Sequence, residues 1–206
     1  LFSDSTTIDE MMDRLPLSFF RSVEQTMSNL DKKQIQRILK KLKDADEIIF
    51  DGSNISYKLA DIIAFKFTEI GFSSRAFSGL SWSHLTTLIE TNKKVIAILI
   101  TFSGENASLI EDAKILKDLD IPYIVVTTNA KSSLLEHADE FIQIFYSQVD
   151  YLSTSRFITI VHAIFDNFMA LAIHYEKNFY RQHQTKIKQN FELKSEAMRI
   201  KKDSTD

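Results

Sequence analysis

Val95-Ile-Ala-Ile-Leu-Ile100 is the most informative stretch of this sequence. Its six residues are all apolar, two lysines precede it, and a turn-forming Ser-Gly pair follows it at 103–104. A short continuous apolar run between such flanks is typical of a parallel strand that is buried on both faces of a sheet. The run therefore predicts a central strand of an α/β domain.

Strands and helices alternate on both sides of this run. The other predicted strands are 47–50, 73–77, 122–127 and 140–144, and the helices between them are 56–70, 81–90, 105–119 and 132–137. This alternation predicts a three-layer αβα sandwich with a mainly parallel five-stranded sheet and helical extensions at both ends. In such sheets, ligands bind outside the carboxyl ends of the strands.

The segment before the first predicted strand is helical, because apolar residues recur at helical spacing from Ile8 to Leu42. We predict three helices in this segment. The second begins at Pro16 or Ser18, and the third is capped by Asp31, whose carboxylate can accept hydrogen bonds from the free amides of the first turn.

The sequence after Asp150 is helical again. Its stretch from Phe157 to Tyr175 is too rich in aromatic residues to be a solvated surface, so we expect it to cap the sheet, to form a subunit interface, or both. The tail that follows carries charges of both signs, which is typical of a solvated helix or a frayed end. We divide the chain into a helical linker region at 1–44, a ligand-binding domain at 45–176 and a charged C-terminal helix or tail at 177–206.

Composition excludes several classes of protein and of site. The 206 residues suffice for one sizeable core, and the absence of cysteine excludes disulfides, thiolate metal sites and cysteine catalysis. The formal net charge of -3 gives no bulk attraction for nucleic acid, so DNA binding needs another segment. We find no signal-like start and no stretch that approaches a membrane span, and we expect a cytoplasmic protein without a metal. The Leu1 start suggests a processed product or a fragment that lacks its N-terminal part.

Small and polar residues follow the first predicted strand in the order Asp51-Gly-Ser-Asn-Ile-Ser56. Gly52 permits a tight turn and a close approach of the backbone, and Asn54 tolerates a left-handed conformation. Ser56 can cap the next helix or donate to a ligand oxygen. These residues form the first candidate loop.

A second candidate loop, Thr101-Phe-Ser-Gly-Glu-Asn106, follows the central strand. Two hydroxyls, a glycine and the free amides of a helix start converge there, which favours a phosphate site even without a lysine. Turns and caps also use Ser, Asn and Gly, so each loop alone fits a purely structural role. Together the two loops favour a phosphate or a hydroxyl-rich ligand. Glu105, in the first turn of its helix, fits a surface charge better than an acid or base.

Two long segments resemble the signature segments of the sugar isomerase (SIS) domain in RpiR-type bacterial transcription regulators. They are FDGSNISYKLADIIAFKFTEIG at 50–71 and VIAILITFSGENASLIEDAKILK at 95–117. The resemblance extends to IVVTTNAKSSLLEHADEFIQI at 124–144 and to the helical stretch that contains Ser155-Arg156. The helices before Phe50 resemble the linker to the family's helix-turn-helix domain, which is itself missing from this sequence.

The family's first loop usually reads Gly-x-Gly-x-Ser and its second Ser-x-Ser-Gly-x-Thr. In this sequence Asn54 stands at the second glycine, Thr101 at the first serine and Asn106 at the closing Ser or Thr. The resemblance implies that the ligand is bound by both loops, through Gly52, Asn54, Ser56, Thr101, Ser103, Gly104, Glu105 and Asn106.

The resemblance implies an effector domain that binds a phosphorylated sugar without turning it over and without a cofactor. It also implies a homodimer or a higher homo-oligomer that contacts DNA only through the missing helix-turn-helix domain. Two alternatives stay open. One is a sugar-phosphate isomerase of the same fold, which needs a general base, and His84 could reach a neighbouring pocket in a dimer. The other is a structural dimerisation module whose pocket has lapsed, as the replacements at Asn54 and Asn106 allow.

Overall fold

The structure, a computed structural model, describes residues 6–146 and 153–175 together with Thr185. The helices are α1 (Ile8–Ser28), α2 (Lys32–Asp44), α3 (Ile55–Glu69), α4 (Trp82–Glu90), α5 (Ala107–Asp118) and α6 (Ser153–Tyr175). The strands are β1 (Glu47–Gly52), β2 (Ser74–Phe77), β3 (Val95–Ile100), β4 (Tyr123–Thr127) and β5 (Glu140–Gln143). A short 3-10 helix, Ser133–Leu135, stands where a helix at 132–137 is predicted.

The five strands form one parallel sheet in the order β2-β1-β3-β4-β5. All six residues of β3 are buried, as the apolar run predicts, and β3 lies at the centre of the sheet. One face of the sheet packs against α1, α2, α3 and α6, and the other packs against α4 and α5. The predicted αβα sandwich is confirmed. From β1 the chain moves first to β2 on one side and then to β3 on the other, so the carboxyl ends of β1 and β3 form the topological switch point.

The prediction of a helix start at Pro16 or Ser18 is wrong, because α1 runs without a break from Ile8 to Ser28 with Pro16 inside it. Ser18, Ser22 and Thr26 are buried on its inner face, and each hydroxyl donates to a carbonyl one turn back in the helix at 2.8 Å. This face packs on α6, and the packing outweighs the hydrogen bond that a proline removes. The predicted Asp31 cap of α2 is confirmed, since its Oδ1 accepts from the amide of Gln34 at 2.6 Å.

Helix α6 covers the sheet. Its aromatic side chains Phe157, Phe165 and Phe168 are buried, and the Phe165 ring lies 5.8 Å from that of Phe50 in β1. By length and composition alone the segment Ser155–His174 could cross a membrane, contrary to the prediction that no stretch approaches a span. Its packing explains its apolar character, because these side chains belong to the core.

The proposed division of the chain stays a prediction. Ile38 and Leu42 of α2 lie in the same core cluster as the sheet, so α2 is packed as part of the body that follows the proposed boundary at residue 44. The predicted charged tail at 177–206 lies outside the described residues, except for Thr185.

Candidate functional site

The two candidate loops leave neighbouring strands at the same edge of the sheet. Gly52, the last residue of β1, is paired with Ile100, the last residue of β3, and Ile100 is paired with Val126 of β4. The loops after β1, β3 and β4 therefore begin side by side at the topological switch point. This edge is where open parallel sheets bind their ligands.

The first loop brings the start of α3 very close to the end of β1. A Cβ atom on Gly52 would lie 2.7 Å from the carbonyl carbon of Ser56 and 2.9 Å from the amide nitrogen of Tyr57. Both are backbone atoms of the helix, so any side chain at position 52 would push the helix away from the strand. Ser56 is buried at this contact, while Asn54 is exposed.

Asn54 precedes α3 in a backbone conformation that favours glycine, with φ 53° and ψ -118°. Its side chain makes no capping hydrogen bond to the helix. The glycine-like conformation of the motif is thus kept while the residue is an asparagine. A non-glycine residue held in such a sparsely populated region stores about 1–3 kcal/mol of strain.

We expect Asn54→Gly to raise the free energy of unfolding by about 1 kcal/mol, because relief of the strain outweighs the roughly 0.5–1 kcal/mol of extra unfolded-state entropy that glycine brings. Urea unfolding of the variant and of wild type measures the difference. Asn54→Ala, which keeps a Cβ atom, is the control and should give no gain. A glycine variant less stable than wild type would show that the Asn54 side chain makes a stabilising contact.

The second loop is fixed by its own hydroxyl groups. Thr101 Oγ1 accepts from the amide of Gly104 at 3.3 Å, and Ser103 Oγ accepts from the amide of Glu105 at 3.3 Å. Gly104 has a φ of 74°, and a Cβ atom there would lie 2.4 Å from Ser132 Oγ. The loop therefore needs glycine at 104 both for its conformation and for space.

Asn106 and Glu105 differ in how they are held. Asn106 caps α5, since its Oδ1 accepts from the amide of Leu109 at 3.2 Å. Glu105 is exposed, and its Oε1 accepts from Asn129 Nδ2 at 3.2 Å. Asn106 thus sets the start of the helix, and Glu105 places a carboxylate on the rim of the site.

A third loop, which the sequence analysis does not single out, follows β4 and completes the site. Thr127 Oγ1 and Thr128 Oγ1 donate to the carbonyl of Phe102 at 3.0 and 2.8 Å, and Asn129 Nδ2 donates to the carbonyl of Ser103 at 3.0 Å. Ser132 Oγ donates to the carbonyl of Gly104 at 2.6 Å. Thr127 ends the buried strand β4, and Thr128 and Asn129 directly follow it, so the rule that selects the first two loops also selects this one.

The described histidines do not converge on these loops. The His84 ring packs against Phe77 with a centroid distance of 4.7 Å, and its Nε2 is buried without a hydrogen-bond partner in the part of the chain that the structure describes. His162 Nε2 in α6 lies 3.0 Å from Lys66 Nζ in α3, on the face of the sheet that these two helices cover. Within the described residues we find no cluster of three or more His, Cys, Asp or Glu that could hold a metal ion.

Asp51 lies directly behind the first loop and is fully buried. Its pKa is raised from 3.8 to about 8, chiefly by burial and also by the neighbouring carboxyl group of Asp112, while the amides of Gly79 and Gly52 oppose the shift. A carboxyl group with such a pKa carries a proton at neutral pH.

Two clefts lie away from the three loops. One, of about 620 Å³, is lined by residues at the amino ends of the strands, and the other, of about 630 Å³, lies between α2 and the end of α6. The first has several cations, but Arg37 is paired with Glu140 and Lys93 with Glu47. These pairs neutralise part of the positive charge of the cleft, whose other lysines are Lys40, Lys41 and Lys94, and size alone does not make it a phosphate site.

Comparisons with known proteins agree with the fold. Residues 41–173 match the family model described as SIS domain. An uncharacterized HTH-type transcriptional regulator of Thermotoga maritima is 29% identical over 136 residues, which are 66% of this chain and 47% of that protein. The chain spans about half the length of the curated relatives that it matches.

Solved structures share the fold at low sequence identity. The Vibrio vulnificus NanR protein complexed with ManNAc-6P has a TM-score of 0.71 at 17% identity, covering 89% of this chain and 69% of that chain. The sugar isomerase domain of an RpiR transcription factor from Sphaerobacter thermophilus has a TM-score of 0.71 at 13% identity, covering 87% and 99%. These likenesses establish the fold, and the family model covers more than half of the residues. The chain belongs to the SIS domain family.

Proposed function

We propose that this chain is the effector domain of an RpiR-type transcription regulator, which binds a phosphorylated sugar at the three loops and thereby controls DNA binding in the cytoplasm. The observation that carries the proposal is the convergence of three hydroxyl-rich loops at the switch point of the sheet. DNA binding would belong to a helix-turn-helix domain that precedes α1. The similarity to HTH-type regulators supports this class over an enzyme.

The phosphate would lie against the second loop and the start of α5. The hydroxyl oxygens of Thr101 and Ser103 accept hydrogen bonds from backbone amides. Each hydroxyl group therefore keeps its own hydrogen for donation to a phosphate oxygen. The partial positive charge at the helix start adds about 0.3–1 kcal/mol for an anion. Gly104 lets the second loop pack closely against Ser132 of the third loop, which holds Thr101 and Ser103 in place.

The sugar would extend from the second loop towards the first loop. Ser56 and the exposed amide of Asn54 can bind sugar hydroxyls or the phosphate. Glu105 is oriented by Asn129 and can accept hydrogen bonds from sugar hydroxyls at the rim. The negative charge of Glu105 disfavours a ligand that places a second phosphate group at the rim.

Contacts lead from the second loop to α1, which is the helix nearest to the proposed DNA-binding domain. The ring of Phe102 lies 5.4 Å from that of Phe157 in α6. The preceding residue in α6, Arg156, is buried and donates from Nη1 to Ser18 Oγ of α1 at 2.7 Å. A ligand that orders the second loop would therefore favour one placement of α1 over another, which is what a switch requires.

The proposed oligomer is a homodimer that packs through helices. Ile8, Met12 and Phe20 are exposed on α1, and Ile62 and Phe65 are exposed on α3. Phe157, Phe165 and Phe168 of α6 are buried inside the protomer and are not available for this role. A change in the packing of two copies would change the spacing of their DNA-binding domains.

A thermal-shift screen against hexose, pentose and aminosugar phosphates tests the proposal. One compound at about a hundred times its Kd should stabilise the chain by roughly 2.7 kcal/mol. We expect the shift to be absent with the unphosphorylated sugar and much reduced in Ser103→Ala. The control variant is Thr91→Ala, which removes an exposed hydroxyl four residues before β3 begins, at the opposite edge of the sheet.

The same compounds separate the proposal from its alternatives. Turnover of an aldose or ketose phosphate by the purified chain would make it an isomerase. No stabilisation by any compound would favour a structural dimerisation module without a working pocket. A shift that Ser103→Ala leaves unchanged would place the ligand elsewhere.

A further inference from the structure

Two buried carboxyl groups hold the turn between β2 and α4. Asp51 Oδ1 accepts from the amide of Gly79 at 3.1 Å, and Asp112 Oδ1 accepts from the amide of Leu80 at 3.0 Å. Asp51 is 0% exposed and Asp112 is 4% exposed. The two side chains come from β1 and α5, which are the elements that carry the first loop and the second loop.

The second oxygen of each carboxyl group is buried without a hydrogen-bond partner among the described residues. The two groups bond the consecutive amides of one turn, which places them close together, and the carboxyl group of Asp112 raises the pKa of Asp51. Two ionised carboxylates only accept hydrogen bonds, and they repel each other in a buried site. A single proton between Asp51 and Asp112 removes the repulsion and supplies the missing donor.

No cation on the packed elements takes the place of this proton. The residues paired with Asp51 in the neighbouring strands, Phe77 and Leu99, are apolar. His84 of α4, which is also titratable, packs on Phe77. Residues 78–81 have no ionisable side chain, and the remaining charged residues of α4 and α5 are exposed: Glu90, Glu111, Lys114, Lys117 and Asp118.

We propose that Asp51 and Asp112 share one proton and form a pH-sensitive latch that fixes residues 78–81 beside the ligand loops. When the second carboxyl group ionises at alkaline pH, repulsion weakens both bonds to the turn. The latch is a property of the free chain. It does not rest on the proposed function.

The direction of the pH effect follows from the raised pKa of Asp51. The folded chain keeps a proton that the unfolded chain releases above about pH 4, so stability falls as the pH rises towards about 8 and then levels. This slope is opposite to that of an ordinary ion-paired carboxylate.

Unfolding of wild type, Asp51→Asn and Asp112→Asn in urea at several pH values tests the latch. An amide can accept the backbone bond and donate to the remaining carboxylate without titrating. We therefore expect the wild-type unfolding constant to rise relative to either variant by about tenfold per pH unit between about pH 5 and about pH 7. Glu111→Gln, one residue away and exposed, should follow wild type.

Parallel pH profiles of wild type and both variants would overturn the proposal. If one variant fails to fold, the other carries the test. Hydrogen exchange gives a second readout, because protection of the Gly79 and Leu80 amides should fall above about pH 8 in wild type but not in a folded variant. Unchanged protection in wild type would also contradict the latch. Neither measurement needs a ligand, so a failed sugar-phosphate screen leaves this test intact.

Discussion

Gly104→Ala should lower the free energy of unfolding by about 2–4 kcal/mol. The alanine has to adopt a φ of 74°, which costs about 1 kcal/mol for an L-residue. Its Cβ atom would also lie 2.4 Å from Ser132 Oγ and 2.6 Å from Ser132 Cβ, and overpacking of a closed site typically costs 1–3 kcal/mol. The displaced loop carries Thr101 and Ser103, so we also expect the proposed ligand affinity to be lost.

Gly79→Ala is the matched control for this prediction. Gly79 also has a positive φ, 102°, but the nearest atom to a Cβ atom there is 3.9 Å away. Urea unfolding of both variants separates the cost of the backbone conformation from the cost of the contact with Ser132. Equal losses in the two variants would show that the second and third loops separate easily.

Phe165→Ala should cost about 3–5 kcal/mol, which is the usual range for truncating a buried phenylalanine. The Phe165 ring lies 5.8 Å from Phe50, 6.1 Å from Phe67 and 6.2 Å from Phe168. Helix α6 cannot close the resulting cavity without moving away from the sheet. Chemical unfolding measures the loss. The loss should be the same at different protein concentrations, because the lost contacts lie within one protomer.

Phe65→Ala, on α3, is the comparison for Phe165→Ala. Phe65 is 65% exposed, so its truncation should change the stability of the isolated protomer by no more than about 0.5 kcal/mol. If a second copy covers α3, the same variant instead weakens self-association, which analytical ultracentrifugation measures. A large loss for Phe65→Ala together with a small loss for Phe165→Ala would contradict the assignment of α6 to the core.

The sheet and two of the three loops could be predicted from the sequence because their signals are local. A buried parallel strand such as Val95–Ile100 is a continuous apolar run, and the turn after it needs small residues. The expectation that Asn54 tolerates a left-handed conformation agrees with its φ of 53°, although its ψ of -118° lies outside the left-handed helical region. The site edge follows from the parallel topology alone.

The remaining features depend on partners far away in the sequence. Proline normally ends a helix, and α1 continues past Pro16 because its hydroxyl-lined face packs on α6, more than 130 residues later. The sequence likewise does not predict that Asp51 and Asp112 lie close together, because α3, β2, α4 and β3 separate them along the chain. The third loop is an exception. It directly follows the buried strand β4, so the local pattern that indicates the first two loops indicates it as well.

In each of the two outer strands of the sheet, a side chain from a helix bonds a backbone carbonyl group. At β5 the carbonyl of Phe141 accepts from Gln34 Nε2 of α2 at 2.8 Å, and at β2 the carbonyl of Ser74 accepts from Thr68 Oγ1 of α3 at 3.3 Å. Both strands are only four residues long. An edge strand that is short, with a backbone carbonyl group already hydrogen-bonded, resists pairing with a strand of another molecule. Such pairing is a usual start of aggregation. The short edges of this sheet are therefore poorly suited to pairing with the sheet of another copy.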